Sequence, residues 1–462
     1  MVRPLIGFGF LLLSASLALP ATWHIEPNGT GDAPTIQAGI DSAAVGDTVE
    51  LADGTFSGNG NRDIDLAGKA LLVTAESWPP SKRGGPCVID CEGSTGSPHR
   101  GFVFRSGEGP ETLLRGVTIT NGVVPDSGGA VLCIAGSSPT FESVRFIGNS
   151  SVGNGGGLYA LDSSPELIDC VFLENFAWSG GGMSALRSSP VIRNTRFEEN
   201  GVTLTNAGLD LQQCGGSLEG CVFYRNRGTN TGAMMVDGAS NTTFTDCSFI
   251  ENEAYQHVGG VYVSGSGESV FERCLFQDNR SVVVGGGIAI SGATPTFREC
   301  VVTGNYARFG GGVVVAGGLA AHFFDCTFVS NTAWDAGSFL YTVDGAPLVF
   351  ERIIVAFHEG GETVNCDPLG SSTFLCTDMY GNSGGDWAGC FADQNGVDGN
   401  FSADPLFCDL ASNDFTLRGD SPCLSGNHPD GYDCGQIGAF GEGCGSTSIH
   451  RTSWGGVKSL FR

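Results

Sequence analysis

From Leu158 every second residue is apolar for a few positions, and the same spacing returns about every 26 residues. Its apolar members include Leu158 and Ala160, Val261 and Val263, Ile288 and Ile290, and Val313 and Val315, each pair directly after a run of small residues. A period of two is that of a strand, so these residues should face inward. Turn residues such as Ser163–Pro165 and Ser188–Pro190 follow. A second apolar stretch then ends in the phrase F-x-x-N, whose apolar position falls at Ile119, Phe146, Phe172, Phe197, Phe223, Phe249, Phe276, Val302, Phe328 and Val355, in steps of 25–27. The last small residue of the glycine phrase keeps the same step, at Ala130, Gly157, Gly182, Gly208, Ala233, Gly260, Gly287, Gly312 and Ser338. Self-similarity at such a period marks stacked units. No segment between the glycines is long enough for a crossover helix, which excludes βαβ folds. The pattern predicts a parallel β-helix, with two or three short strands per coil. At a coil spacing of about 4.8 Å, ten coils make a rod of roughly 50 Å.

The two phrases have separate roles. Glycine allows positive φ and close backbone approach at a corner, and asparagine tolerates the left-handed conformation while bonding nearby backbone. Asn149, Asn175, Asn200, Asn226, Asn252, Asn279, Asn305 and Asn331 are therefore expected to stack as a corner ladder, with the phenylalanines stacked beneath them in the core. Cys170, Cys221, Cys247, Cys274, Cys300 and Cys326 each lie two positions before the core residue, which predicts an interior thiol column. In-register Cβ atoms stay near the coil spacing, beyond the ~3.8 Å that a disulfide wants, so free thiols are expected rather than bridges. One thiol per coil gives no tetrahedral metal cluster.

GG[GA] followed by an aliphatic residue, paired with F-x-x-N at this step, resembles the polymorphic outer-membrane protein repeat, found in right-handed parallel β-helix proteins of the pectin-lyase-like superfamily. The likeness covers about residues 101–360. Upstream, PTIQAGIDSAAVGDTVELADGTF is similar to the opening segment of many such β-helices, a short amphipathic helix and then the first strand. Thr35, Ile36, Ile40 and Ala44 form one helix-spaced face suited to capping the core. The expected fold is all-β: a right-handed parallel β-helix solenoid of about ten 25–27-residue coils, with an N-terminal helical cap and a Cys-rich C-terminal cap. Its expected segments are a signal peptide over 1–21, the N-terminal cap and first coils over 22–100, the β-helix repeats over 101–360, the C-terminal cap over 361–446, and a basic, aromatic tail over 447–462.

Composition narrows the function classes. The 49 acidic and 23 basic residues leave a net charge of −26, which repels phosphate backbones and argues against a nucleic-acid partner. Arg3, the apolar run from Pro4 to Leu19 and the small residues Ala18 and Ala21 read as an export signal, and no later stretch is long enough for a membrane span. Seventeen cysteines fit an oxidising compartment, with seven crowded between Cys366 and Cys444. The expected location is therefore outside the cytoplasm, secreted or at the cell surface or outer membrane.

Catalytic signals are sparse. The resemblance brings polysaccharide lyases and hydrolases into view, but the Asn-Thr-Asp, Asp-Asp, Gly-His-Gly and Arg-Ile-Lys phrases of the hydrolases do not occur here. The related pectate lyases hold Ca²⁺ on strand carboxylates beside a basic residue, whereas this chain has three lysines and no acidic cluster recurring on one face. The seven histidines form no ligand pair and read as surface or turn residues. The outward column of the post-glycine strand runs Leu132, Tyr159, Ser184, Asp210, Met235, Tyr262, Ala289, Val314 and Leu340, with Asp237 in the next column. That face is more apolar and aromatic than solvent requires, so it is expected either to bind a ligand or to be covered. Tyr159, Asp210, Asp237 and Tyr262 are the candidate carbohydrate contacts. Asp398, Asp404, Asp409, Asp414 and Asp420 offer a possible Ca²⁺ site, although turn chemistry explains them better. The tail after Cys444 reads as a disordered end or a tag for a secretion machine. Taken together, the sequence points to a non-catalytic, adhesin-like or carbohydrate-binding scaffold without a required cofactor, its partner a polysaccharide or a surface protein. The alternative is a polysaccharide lyase or glycoside hydrolase working on the same face.

Overall fold

The computed structural model describes residues 19–444, apart from 80–84, 203, 318, 346 and 366–371. The expected tail lies outside the described residues, as does nearly all of the expected signal peptide. One coil shows the plan of the rest. Glu166–Ile168, Val171–Leu173, Phe176–Ala177 and Met183–Leu186 are short strands that each pair in parallel with their equivalents one coil away. Repetition builds three long sheets, of 14, 13 and 20 strands, around one core. The solenoid is longer than the ten coils expected from the repeat. Thr22–Ile25, Thr48–Leu51 and Leu72–Ala75 add rungs to the first sheet, as does Thr373–Leu375 at the far end. None of these rungs is followed by the repeating glycine phrase, although Phe56–Asn59 still spells F-x-x-N.

Glycine is required where the chain doubles back onto the next coil. A Cβ at Gly182 would sit 2.6 Å from the Gly208 carbonyl oxygen and 2.9 Å from the Phe197 ring. The core beside it is aromatic. Phe146, Phe172, Phe197, Phe223, Phe249 and Phe276 stack face to face at centroid distances of 4.4–5.0 Å. A second stack runs from Phe244 through Phe271, Phe297, Phe323 and Phe350 to Phe374. The six cysteines of the column are buried and unbridged, and burial pushes the Cys170 thiol up to about 12.

At the corner after each second-sheet strand, the ladder asparagines hydrogen-bond from coil to coil. Asn226 Oδ1 accepts the backbone N–H and the side-chain N–H of Asn200, both at 3.0 Å. Its own Nδ2 donates to the Phe197 carbonyl at 2.9 Å and to Asn252 Oδ1 at 3.0 Å. The same pattern runs from Asn149 to Asn331. It continues through His358, whose Nδ1 accepts the Asn331 N–H at 3.2 Å and whose N–H donates to Asn382. His358 is therefore not a surface residue but a buried rung of the ladder.

Burial lowers the His358 pKa from 6.5 to about 4, against opposing backbone hydrogen bonds. The folded chain then binds fewer protons than the unfolded chain between those values, so stability falls as pH drops from 6.5 to 4. The loss is at most about 3 kcal/mol. His358→Asn should keep the ladder and remove this acid sensitivity. Urea midpoints at pH 7 and 4.5 check it: an equal acid shift in both proteins would show that His358 is not the cause.

Both ends are capped. Helix α1 (Ile36–Ser42) starts at Thr35, whose hydroxyl accepts the Ala38 N–H, and buries Ile36 and Ile40. Trp387 and Phe391 set their ring edges against Phe374 and close the second aromatic stack. The remaining C-terminal chain does more than cap the end. It runs back over the outer face of the 13-stranded sheet, so that Phe407, Phe415, Ala439 and Phe440 cover Ile250, Leu275, Val301 and Val329. Gly438 there has φ of +88°, and a Cβ on it would lie 2.6 Å from Ile354 Cδ1. Disulfides Cys376–Cys434 and Cys408–Cys444 tie this segment down. Cys423 remains a free, buried thiol.

Candidate functional site

The expected ligand face is built from the outward side chains of the post-glycine strands, and here the structure departs from the sequence reading. The chain just before the glycines folds over these strands. The Ser179 hydroxyl donates to Asp210 Oδ2 at 2.5 Å, and Gln212 Nε2 donates to the same oxygen at 2.9 Å. Asp210 is fully buried and Tyr159 is 9% exposed. Burial raises the Asp210 carboxyl pKa, opposed by the Ser179 and Gln212 hydrogen bonds. Tyr262 and Asp237 are partly open, but the Tyr262 ring stacks on His257 and Asp237 accepts the Ser264 hydroxyl at 2.6 Å. Farther along, Val258, Ala289 and Val314 close the face as an apolar cluster beside Val284 and Tyr341. The column ends on Tyr341 rather than Leu340, because an irregularity in Thr332–Val343 adds a residue and turns Leu340 into the core. The four candidate contacts thus do not share an open groove, and Asp210 cannot touch a soluble polymer. Arg187, whose charge acts on Tyr159, is held by both oxygens of Asp162 at 2.8 Å.

The open surface lies one corner away. Three residues after a ladder asparagine, Trp178, Tyr255 and Trp334 project into solvent, 49%, 59% and 75% exposed. Three rungs separate Trp178 from Tyr255, and three more separate Tyr255 from Trp334. At the rung spacing each interval is about 14 Å. Phe176, Val152, Leu204 and Val282 extend the apolar ridge. The Tyr306 ring meets Trp334 edge-on at 6.3 Å, with the Arg280 guanidinium 5.3 Å above its face. Two further arginines along the ridge are paired, Arg227 with Glu253 and Arg308 with Asp335. The sequence signal of this ridge, absent from the expectations above, is an aromatic residue recurring three positions after a ladder asparagine.

The acidic C-terminal residues act in turns. Asp404 accepts the Leu406 N–H, Asp409 caps Ser412, Asp414 accepts the Thr416 N–H, and Asp420 pairs with Arg418. Among the described residues, no group of three or more His, Cys, Asp or Glu side chains could hold a metal ion.

The sequence matches the right-handed β-helix region family over residues 83–249 and 203–349, together more than half of the chain. No curated protein matches it. Several solved structures are similar, three of them as follows. Geobacillus virus E2 ORF18 is 14% identical at a TM-score of 0.35 over 77% of this chain, which spans 62% of that protein. Pectate lyase Pel9A is 13% identical at 0.37, over 92% of this chain and 97% of its own. A mannuronic acid-specific polysaccharide family 6 lyase from human gut microbiota is 14% identical at 0.36, over 83% and 91%. Likeness at these levels carries no argument about activity. With parallel coils throughout and the family match over most of them, the chain belongs to the right-handed β-helix family.

Proposed function

We propose that this protein is an exported, non-catalytic scaffold that binds an elongated polysaccharide along the corner ridge. The observation that carries the reading is the placing of Trp178, Tyr255 and Trp334 at equal three-rung intervals on one exposed line. A flat aromatic ring offers a stacking platform to the apolar face of a sugar, and a periodic line of such rings suits a periodic polymer. Paired charges on the ridge and a net charge of −26 favour an uncharged glycan over a polyanion. The C-terminal disulfides fit an oxidising compartment. No helix among the described residues is long and apolar enough to cross a membrane. The lyase or hydrolase alternative would need accessible catalytic groups on the post-glycine face, and Asp210 there is buried.

A panel of neutral and acidic polysaccharides tests this by affinity electrophoresis and by release of reducing or unsaturated ends. Trp178→Ala, Tyr255→Ala and Trp334→Ala should each weaken binding to a neutral glycan by about 1 kcal/mol, roughly fivefold, and the triple variant should lose it. A triple variant that binds as tightly as the parent would sink the ridge. Product release would replace the scaffold reading with the enzymatic one.

A further inference from the structure

A cleft of about 390 Å³ opens on the outer face of the 13-stranded sheet, upstream of the part that the C-terminal segment covers. Its floor is built by successive coils, on which Thr118, Arg145 and Val171 occupy the same register position. The preceding corner contributes Gly116, Ser143 and Asp169, all with positive φ, and Trp78 and Pro86 form the wall. The volume lies within the range of small-molecule sites, roughly 300–1,000 Å³.

The charges distinguish this cleft from the rest of the surface. Every other described arginine is in an ion pair or over an aromatic ring. Arg145 alone has neither, although Asp169 lines the same cleft one coil away and is also unpaired among the described residues. The two thus line one cleft with no ion pair between them.

We infer that this cleft binds a small zwitterion of the α-amino acid type. The Arg145 guanidinium suits the carboxylate as a planar, two-pronged donor. The Asp169 carboxylate takes the ammonium, the Ser143 and Thr118 hydroxyls supply further hydrogen bonds, and the Trp78 indole packs against an apolar side chain. A simple anion would meet the field of a strongly acidic chain, and a simple cation would meet Arg145. A molecule carrying both charges satisfies both groups. The site is separate from the aromatic ridge, so it stands whether or not the ridge binds glycan.

Isothermal titration of the full chain with L-leucine and L-phenylalanine, beside their N-acetyl and carboxamide derivatives, tests the assignment. The free amino acids should bind, and blocking either charge should lower affinity about tenfold, the equivalent of 1.4 kcal/mol. Asp169→Asn should abolish the preference over the N-acetyl form while keeping that over the carboxamide, and Arg145→Gln should do the reverse. Both side chains are exposed, so the variants should unfold at the parent's midpoint. No detectable binding of either amino acid overturns the proposal, as does binding in which neither substitution changes the preference among the three ligand forms.

Discussion

Asp378→Asn should stabilise the folded protein at pH 8 by about 3–5 kcal/mol and leave it nearly unchanged at pH 4.5. Asp378 sits on the last strand of the 13-stranded sheet, fully buried where the C-terminal chain turns back over that sheet. Its Oδ1 accepts the Ala403 N–H at 3.0 Å and its Oδ2 accepts the Cys423 thiol at 3.3 Å. Burial pushes its carboxyl up from 3.8 to about 8, with Asp386 and Asp404 adding repulsion and those two hydrogen bonds opposing it. The folded chain therefore keeps a proton that the unfolded chain releases near pH 4, and stability falls as pH rises from about 4 to about 8. An amide keeps the acceptor for Ala403 and has no charge to bury. Guanidinium denaturation of both proteins between pH 4.5 and 8.5 checks this. Parallel curves across that range would show that Asp378 ionises freely. Cys423 provides a second readout, since thiol reagents should reach it faster in the parent than in the variant at pH 8.

That site was invisible in the sequence for a physical reason. The coils from Gly101 to Gly360 make the same demand every 26 residues, so glycine, phenylalanine and asparagine recur and the fold can be read directly. Contacts of the C-terminal segment do not repeat. Phe415 covers Ile250 and Leu275 once, and Asp378 meets Cys423 once. Alternation along Leu209–Gln212 places Asp210 on the outer side of its strand, but says nothing of a loop residue such as Ser179 lying over it. His358 is a different case. It occupies the ladder position 27 residues after Asn331, and a strict F-x-x-N template passes over it because an imidazole replaces the amide. The ridge was legible in principle, since Trp178, Tyr255 and Trp334 share one offset from their ladder asparagines.

The ladder gives the other large effect. Asn226→Ala should destabilise the fold by about 4 kcal/mol, because buried polar groups that lose their partners cost roughly 1–3 kcal/mol each. The substitution strands the backbone N–H of Asn200, and it removes one partner each from the Phe197 carbonyl and from the side chains of Asn200 and Asn252. All of these lie out of reach of water, with Asn200, Asn226 and Asn252 fully buried. Asn226→Asp is the informative companion. It keeps the acceptor for Asn200 but loses both donors and sets a carboxylate against the Phe197 carbonyl, so it should be as damaging as alanine at pH 7 and less so at pH 4. Denaturation midpoints at the two pH values, compared with the parent, test both substitutions together. A cost below about 1 kcal/mol for alanine would mean that water enters the corner and replaces the amide. A cost of the expected size, relieved by acid only in the aspartate variant, would assign the stability of this corner to amide hydrogen bonds passed from coil to coil.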